Sequence, residues 1–130
     1  MVMNKKNFFL IVGVSKSGTT SLGSYLSQHP NIYVPSKINE PKFFVKDNIK
    51  SISKFDPIKN SIFSRSILNK KEYFQLFEQK EPIKYFGEDS IHYFNHPNES
   101  IKNIKKYVGD IPIFIIMRNP VDRMISNWKY

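Results

Sequence analysis

At 130 residues, with 40% hydrophobic and 15% aromatic side chains, the chain holds enough apolar surface for one modest core and has room for one domain or part of one. The lack of cysteine excludes disulfides, thiolate metal centres and cysteine nucleophiles, and three scattered histidines argue against a metal site. Twenty Lys and Arg against eleven Asp and Glu leave a charge of +9, a field that favours anionic partners, although a Lys-rich sequence filling its solvated faces accounts for such an excess equally well.

Lys5-Lys6 ahead of the apolar run Phe8–Val14 has the outline of a signal peptide. The run is at the short limit, no small-residue cleavage site follows, and Lys16 interrupts it, so a buried first strand is the better reading. No apolar run approaches the roughly 20 residues of a transmembrane helix, and the expectation is a soluble, cytoplasmic protein. Phe8–Val14 is continuous, rich in β-branched residues and closed around Gly13, as suits a strand covered on both faces of a parallel sheet. Leu22, Tyr25 and Leu26 then recur at helical spacing and predict a helix over 19–28, stopped by His29-Pro30-Asn31. Ile32–Val34 reads as a short strand closed by Pro35.

From Ser36 to about Asn69 the sequence is polar and Lys- and Ser-rich with little period. A stretch that long predicts a functional loop or lid with no more than a short helical turn. Tyr73, Phe74 and Phe77 share one face of a helix predicted over 70–79, and Ile83–Phe86 reads as a strand ending at Gly87. Ile101, Ile104 and Val108 mark an amphipathic helix over 98–108 with Asn98 as its cap. Ile111–Met117 is a second long apolar strand expected to be buried. It runs into Arg118-Asn119-Pro120, where Asn119 caps a last helix and Pro120 takes its first position.

Buried strands alternating with amphipathic helices predict an α/β, P-loop-like three-layer fold around a mainly parallel sheet, with binding at the C-terminal strand ends. The last helix reaches Tyr130 without a C-terminal signal, so the sequence reads as the N-terminal portion of a domain, 1–130, truncated at its C-terminus.

The chemistry sits where the first strand meets the first helix. Gly13-Val14-Ser15-Lys16-Ser17-Gly18-Thr19-Thr20 places two glycines around a turn and hydroxyls at a helix start, so that backbone amides converge on an oxyanion. A Walker A loop has lysine directly after its second glycine. Here Thr19 stands there and the lysine is Lys16, which breaks the register for nucleoside triphosphate hydrolysis. The second motif, Arg118-Asn119-Pro120-Val121-Asp122-Arg123-Met124-Ile125-Ser126, follows a strand, and an arginine fork plus a hydroxyl suits a phosphate monoester. On the helix, Ser126 shares a face with Arg123 and Tyr130.

Together the two motifs resemble the PAPS-dependent sulfotransferases, whose donor is 3'-phosphoadenosine 5'-phosphosulfate. Ser15-Lys16-Ser17-Gly18-Thr19-Thr20 matches that family's 5'-phosphosulfate loop apart from Ser15, where Pro or Arg is common. The resemblance implies that Lys16 contacts the bridging oxygen and stabilises the leaving group. It likewise implies that the amides of Ser17, Gly18, Thr19, Thr20 and Ser21, with the Thr19 and Thr20 hydroxyls, hold the 5'-phosphate. On the same match Arg118 and Ser126 bind the 3'-phosphate, while Arg123 reads as structural. Glu40-Pro41-Lys42-Phe43-Phe44 resembles the E-x-x-F-F segment of heparan-sulfate-type and related bacterial members, which makes Glu40 the expected catalytic base.

Glu88-Asp89-Ser90-Ile91-His92-Tyr93-Phe94 resembles another segment of that group, with Asp89 where lysine is frequent. That exchange argues against an acidic glycan acceptor. His92 is the second candidate base because imidazole titrates near neutrality, and Tyr93 and Phe94 read as core or acceptor-wall residues. The resemblance implies no metal, since Lys16 neutralises the leaving group. It implies an acceptor that is a glycan, a lipid or a small metabolite, and leaves oligomeric state open. The rival readings are a catalytically inactive piece of such a fold, a nucleotide kinase, and a basic module binding nucleic acid without sequence specificity, which the lack of a basic helix with interleaved aromatics disfavours.

Overall fold

The computed structural model describes residues 7–78 and 82–129. Lys5-Lys6, the end of the expected 70–79 helix and Tyr130 lie outside the described residues. Strand β1 (Phe8–Gly13) is buried along its whole length and carries the sheet. Helix α1 (Thr19–Leu26) and the short β2 (Ile32–Tyr33) follow. Next come a 3₁₀ turn (Phe43–Val45), α2 (Lys46–Ser51), α3 (Lys59–Ser64) and α4 (Lys70–Gln75). The chain closes with β3 (Tyr85–Asp89), α5 (His92–Asn95), α6 (Pro97–Tyr107), β4 (Ile113–Ile115) and α7 (Pro120–Trp128). The sheet has the order β2-β3-β1-β4 and every pair is parallel, in agreement with the α/β class expected from sequence.

The pleat of β1 explains the layers, because successive side chains point to opposite faces. Phe8, Leu10 and Val12 enter one core with Phe43, Phe44, Val45, Tyr73, Phe77 and Tyr93. Phe9 and Ile11 enter a smaller core with Val34, against which Leu22 and Leu26 of α1 pack. Gly87, opposite Phe9 in the β1–β3 register, leaves room for that ring: a Cβ there would stand 2.2 Å from two of its carbons. The larger core is dense in aromatic pairs, with the Phe43 and Tyr73 rings stacked at 4.4 Å and Phe8 edge-on to Phe77 at 5.0 Å.

Four expectations need correction. Residues 36–69 hold more structure than a loop or lid with one short helical turn, since they form the 3₁₀ turn, α2 and α3, and Phe43, Phe44 and Val45 are fully buried. Their apolar residues are contiguous instead of periodic, which suits a single tight turn pressed into a core. Helix α6 starts at Pro97 and not after an Asn98 cap, because proline's fixed φ suits the first helical position. Strand β3 passes through Gly87 to Asp89. The last strand is short and half exposed along Ile113, Phe114 and Ile115. It lies at the sheet edge, and among the described residues nothing pairs with its outer side. The Asn119 cap of α7 is as expected, its side chain accepting from the Val121 amide at 2.9 Å with Pro120 in the first turn.

Candidate functional site

The segment between β1 and α1 is built for tight turning. Lys16 has φ 62°, a left-handed conformation that costs a side-chain-bearing residue about 1–2 kcal/mol. Gly18 caps α1 at φ 94° with no side-chain cap. A Cβ there would meet nothing within 4 Å, so glycine is required by backbone angle and not by crowding. The first amides of α1 have no intrahelical acceptor, and no acidic residue lies in its first turn, so this end presents donors and positive potential. Thr19 is buried, whereas Thr20 and Ser21 face solvent. The Ser17 hydroxyl is buried with no hydrogen-bond partner, an arrangement that calls for a ligand to satisfy it. These residues fit a phosphate or sulfate oxyanion.

The C-terminal motif reaches the same place from the neighbouring strand β4. Beyond the assigned strand pairing, the Val14 amide donates to the Ile116 carbonyl at 2.9 Å and the Ile116 amide to the Gly13 carbonyl at 2.8 Å. That ladder delivers Arg118, whose Nη1 donates to the Lys16 carbonyl at 3.3 Å. Two motifs separated by 102 residues are therefore joined directly. Ser126 is half-buried on α7, and its hydroxyl makes no hydrogen bond among the described residues. No hydrogen bond links it to Arg118. Arg123, expected to be structural, is exposed and its side chain has no ion pair or hydrogen bond among the described residues.

Glu40 sits in a second strained turn. Glu40 and Lys42 both adopt left-handed angles, φ 56° and 59°, and with Lys16 they are the positive-φ non-glycine residues of the described chain. Strain of this kind persists only where surrounding structure enforces it, and it gathers at functional sites. The buried Lys42 ammonium donates to the Glu40 carbonyl at 2.9 Å and lies 3.5 Å from Oε2. His92 Nδ1 is 3.6 Å from the same oxygen, within ion-pair reach but beyond hydrogen-bond length. Burial pushes the Glu40 carboxyl upward, yet His92 and Lys42 outweigh it and hold the group below its ordinary value. His92 opens α5, and α5 packs on the start of the phosphate loop, with the Phe94 Cβ 3.0 Å from where a Gly13 Cβ would be.

Beneath this turn lies a residue that the sequence reading left without a role. Glu88 is 1% exposed. Its Oε1 accepts from the Tyr73 hydroxyl at 2.9 Å and from the Tyr93 hydroxyl, and its Oε2 accepts from Ser90 Oγ at 3.4 Å. Ser90 Oγ in turn accepts the Lys42 amide at 3.3 Å. Burial raises the Glu88 carboxyl to about 7 despite the two tyrosine hydrogen bonds. In sequence Glu88 stands just beyond the strand expected to end at Gly87, so nothing there marked it for the core. Tyr93 is core, while Phe94 is 45% exposed. The Asp89 carboxyl lies against Gly23 of α1, and burial raises it, with the Glu40 charge adding to the effect.

The family profile described as "Sulfotransferase domain" matches residues 6–130. The chain is similar to the membrane-associated sulfotransferase kil1 of Dictyostelium discoideum, 30% identical over 94% of this chain and 22% of kil1. It is also similar to the bifunctional heparan sulfate N-deacetylase/N-sulfotransferase 1 of Caenorhabditis elegans, 30% identical over 93% of this chain and 12% of that protein. A crystal structure of a sulfotransferase from Alicyclobacillus acidocaldarius superposes with a TM-score of 0.78 at 36% identity, covering 95% of this chain and 48% of that one. The chain thus spans about a fifth of kil1 and about half of the crystallised protein. A profile match over nearly every residue, with a similar fold at appreciable identity, means that this chain belongs to the sulfotransferase domain family.

Proposed function

We propose that the chain binds PAPS across the C-terminal ends of β1 and β4 and takes part in transfer of its sulfuryl group to a hydroxyl or amine. The observation that carries this reading is the Arg118–Lys16 contact, which sets the arginine of one phosphate motif against the lysine of the other. The amides from Gly18 to Ser21 and the orphaned Ser17 hydroxyl offer donors to the 5' side, while the Ser17 amide itself donates to the Val14 carbonyl at 3.2 Å. Arg118 and Ser126 serve the 3'-phosphate. In the reaction the acceptor oxygen or nitrogen forms a bond to sulfur as the sulfur–oxygen bond to the 5'-phosphate breaks. Glu40 receives the acceptor's proton, and the Lys16 ammonium stabilises charge on the departing phosphate. Glu40 suits that task because Lys42 and His92 keep it ionised.

Titration calorimetry with PAP, the desulfated product, tests the donor site. The wild-type chain is expected to bind PAP in preference to ATP, and Lys16→Ala and Arg118→Ala to weaken binding at least tenfold each, as loss of a charge-assisted contact worth about 1.5–3 kcal/mol requires. Preference for ATP would support the nucleotide kinase reading instead.

A further inference from the structure

Beside the Glu40 turn lies an open recess of about 340 Å³ whose polar lining comes from Lys37, Asn39, Ser64, Arg65 and Ser66, over Ile67. It adjoins the base: Asn39 directly precedes Glu40, and the Ile67 amide donates to the Pro41 carbonyl at 2.9 Å, tying the two walls together. The Arg65 charge acts on Lys42, the group that grips Glu40. The Ser64 and Ser66 hydroxyls are spent as donors on the Ser61 and Ile62 carbonyls. Neither Lys37 nor Arg65 has a carboxylate partner among the described residues, and no acidic side chain lines the recess.

We propose that this recess is an acceptor subsite for a molecule carrying an oxyanion next to the hydroxyl or amine to be sulfated, with Lys37 and Arg65 holding the oxyanion and Glu40 facing the nucleophile. The inference rests on the sulfotransferase reading and gives its acceptor a chemical class. Two unpaired cations in a recess this size suit one ring-sized group bearing a carboxylate, sulfate or phosphate. Asp89, which from sequence argued against an acidic glycan acceptor, has its carboxyl beside Gly23 and lines none of the recess.

The test is an NMR titration of the full chain, saturated with PAP, with glucose, glucuronate and glucose 6-phosphate in turn. Glucuronate or glucose 6-phosphate is expected to bind at least tenfold more tightly than glucose and to shift the amides of 37–39 and 64–67. The better of the two identifies carboxylate or phosphate as the preferred anion. A Lys37→Ala/Arg65→Ala double variant is expected to lose that preference while keeping its affinity for PAP, and Lys37→Arg/Arg65→Lys to retain it. Equal binding of the three sugars, no binding of any, or a preference that survives the double alanine variant would overturn the subsite. Failure of PAP to bind would count against the sulfotransferase reading, and the sugar titration without PAP would still decide the recess.

Discussion

Among the described residues, three that bear side chains hold their backbone where side chains are normally unwelcome, and all three are lysine or glutamate of the candidate site: Lys16, Glu40 and Lys42. The cost of a left-handed residue, about 1–3 kcal/mol, is met locally. Gly18 and the α1 start hold the Lys16 turn, while Ser90 and the buried 3₁₀ turn hold Glu40-Pro41-Lys42. The result for Glu40 is a carboxylate fixed between an ammonium and an imidazole. Its proton affinity falls below the ordinary carboxylate value, so it stays ionised, and able to act as a base, down to a pH below that value. Glu40→Gln removes the basic oxygen but keeps the side chain's shape. It is expected to lower the sulfuryl-transfer rate by about 10²–10⁴-fold with PAP affinity unchanged, measured by single-turnover kinetics beside calorimetry. A variant that loses both together would make Glu40 a structural residue.

At the scale of elements, Glu88 is the tie: its carboxyl on β3 receives hydroxyls from α4 and α5 and, through Ser90, meets the amide of Lys42. Asp89 and Lys42 are the charged groups that act on it besides the two phenols. A folded-state value near 7 against an ordinary value of 4.5 means the native protein binds this proton more tightly than the unfolded chain. The associated stability is fully present below pH 4.5 and is lost as pH rises through 7, roughly 3 kcal/mol in all. Glu40 contributes with the opposite sign, but below the ordinary carboxylate range. Urea unfolding at pH 5 and pH 8 is therefore expected to show the wild type losing stability toward pH 8, and Glu88→Gln losing much less. Parallel curves would show that Glu88 does not titrate in this range.

None of that network was legible in sequence, because hydrogen bonds among residues 42, 73, 88, 90 and 93 depend on how four elements pack. The strand–loop–helix around Lys16 and the strand–cap–helix around Arg118 were legible. Their signals are local: an apolar run, a glycine turn, an Asn-Pro cap. The 3₁₀ turn was missed because its contiguous buried aromatics carry no period to read, and α2 and α3 because six-residue helices that bury no more than Ile49 carry none either. The Arg118–Lys16 contact was foreseeable only through the parallel sheet, which brings the ends of β1 and β4 together.

Across the whole molecule, burial is lopsided. β1 is buried along its whole length and β3 from Gly87 to Asp89, whereas Ile113, Phe114 and Ile115 of β4 and Met117 beyond it are exposed. On α7, Val121, Met124, Ile125 and Trp128 are exposed as well, Trp128 to 86%. An apolar face beside an unpaired strand edge favours association, and the charge of +9 opposes it most at low ionic strength, where screening is weakest. These 130 residues alone are therefore expected to self-associate as salt is raised, with Trp128, the single tryptophan, moving to a blue-shifted emission as its surroundings lose water. Sedimentation velocity across a salt series, read beside the fluorescence, checks this. Val121→Lys/Met124→Lys is expected to remain monomeric with water-like emission throughout, since two charges on that face must be desolvated for it to be covered. A wild-type chain that stays monomeric at high salt, with Trp128 still in water, would mean that the β4–α7 face is too irregular to associate despite its composition.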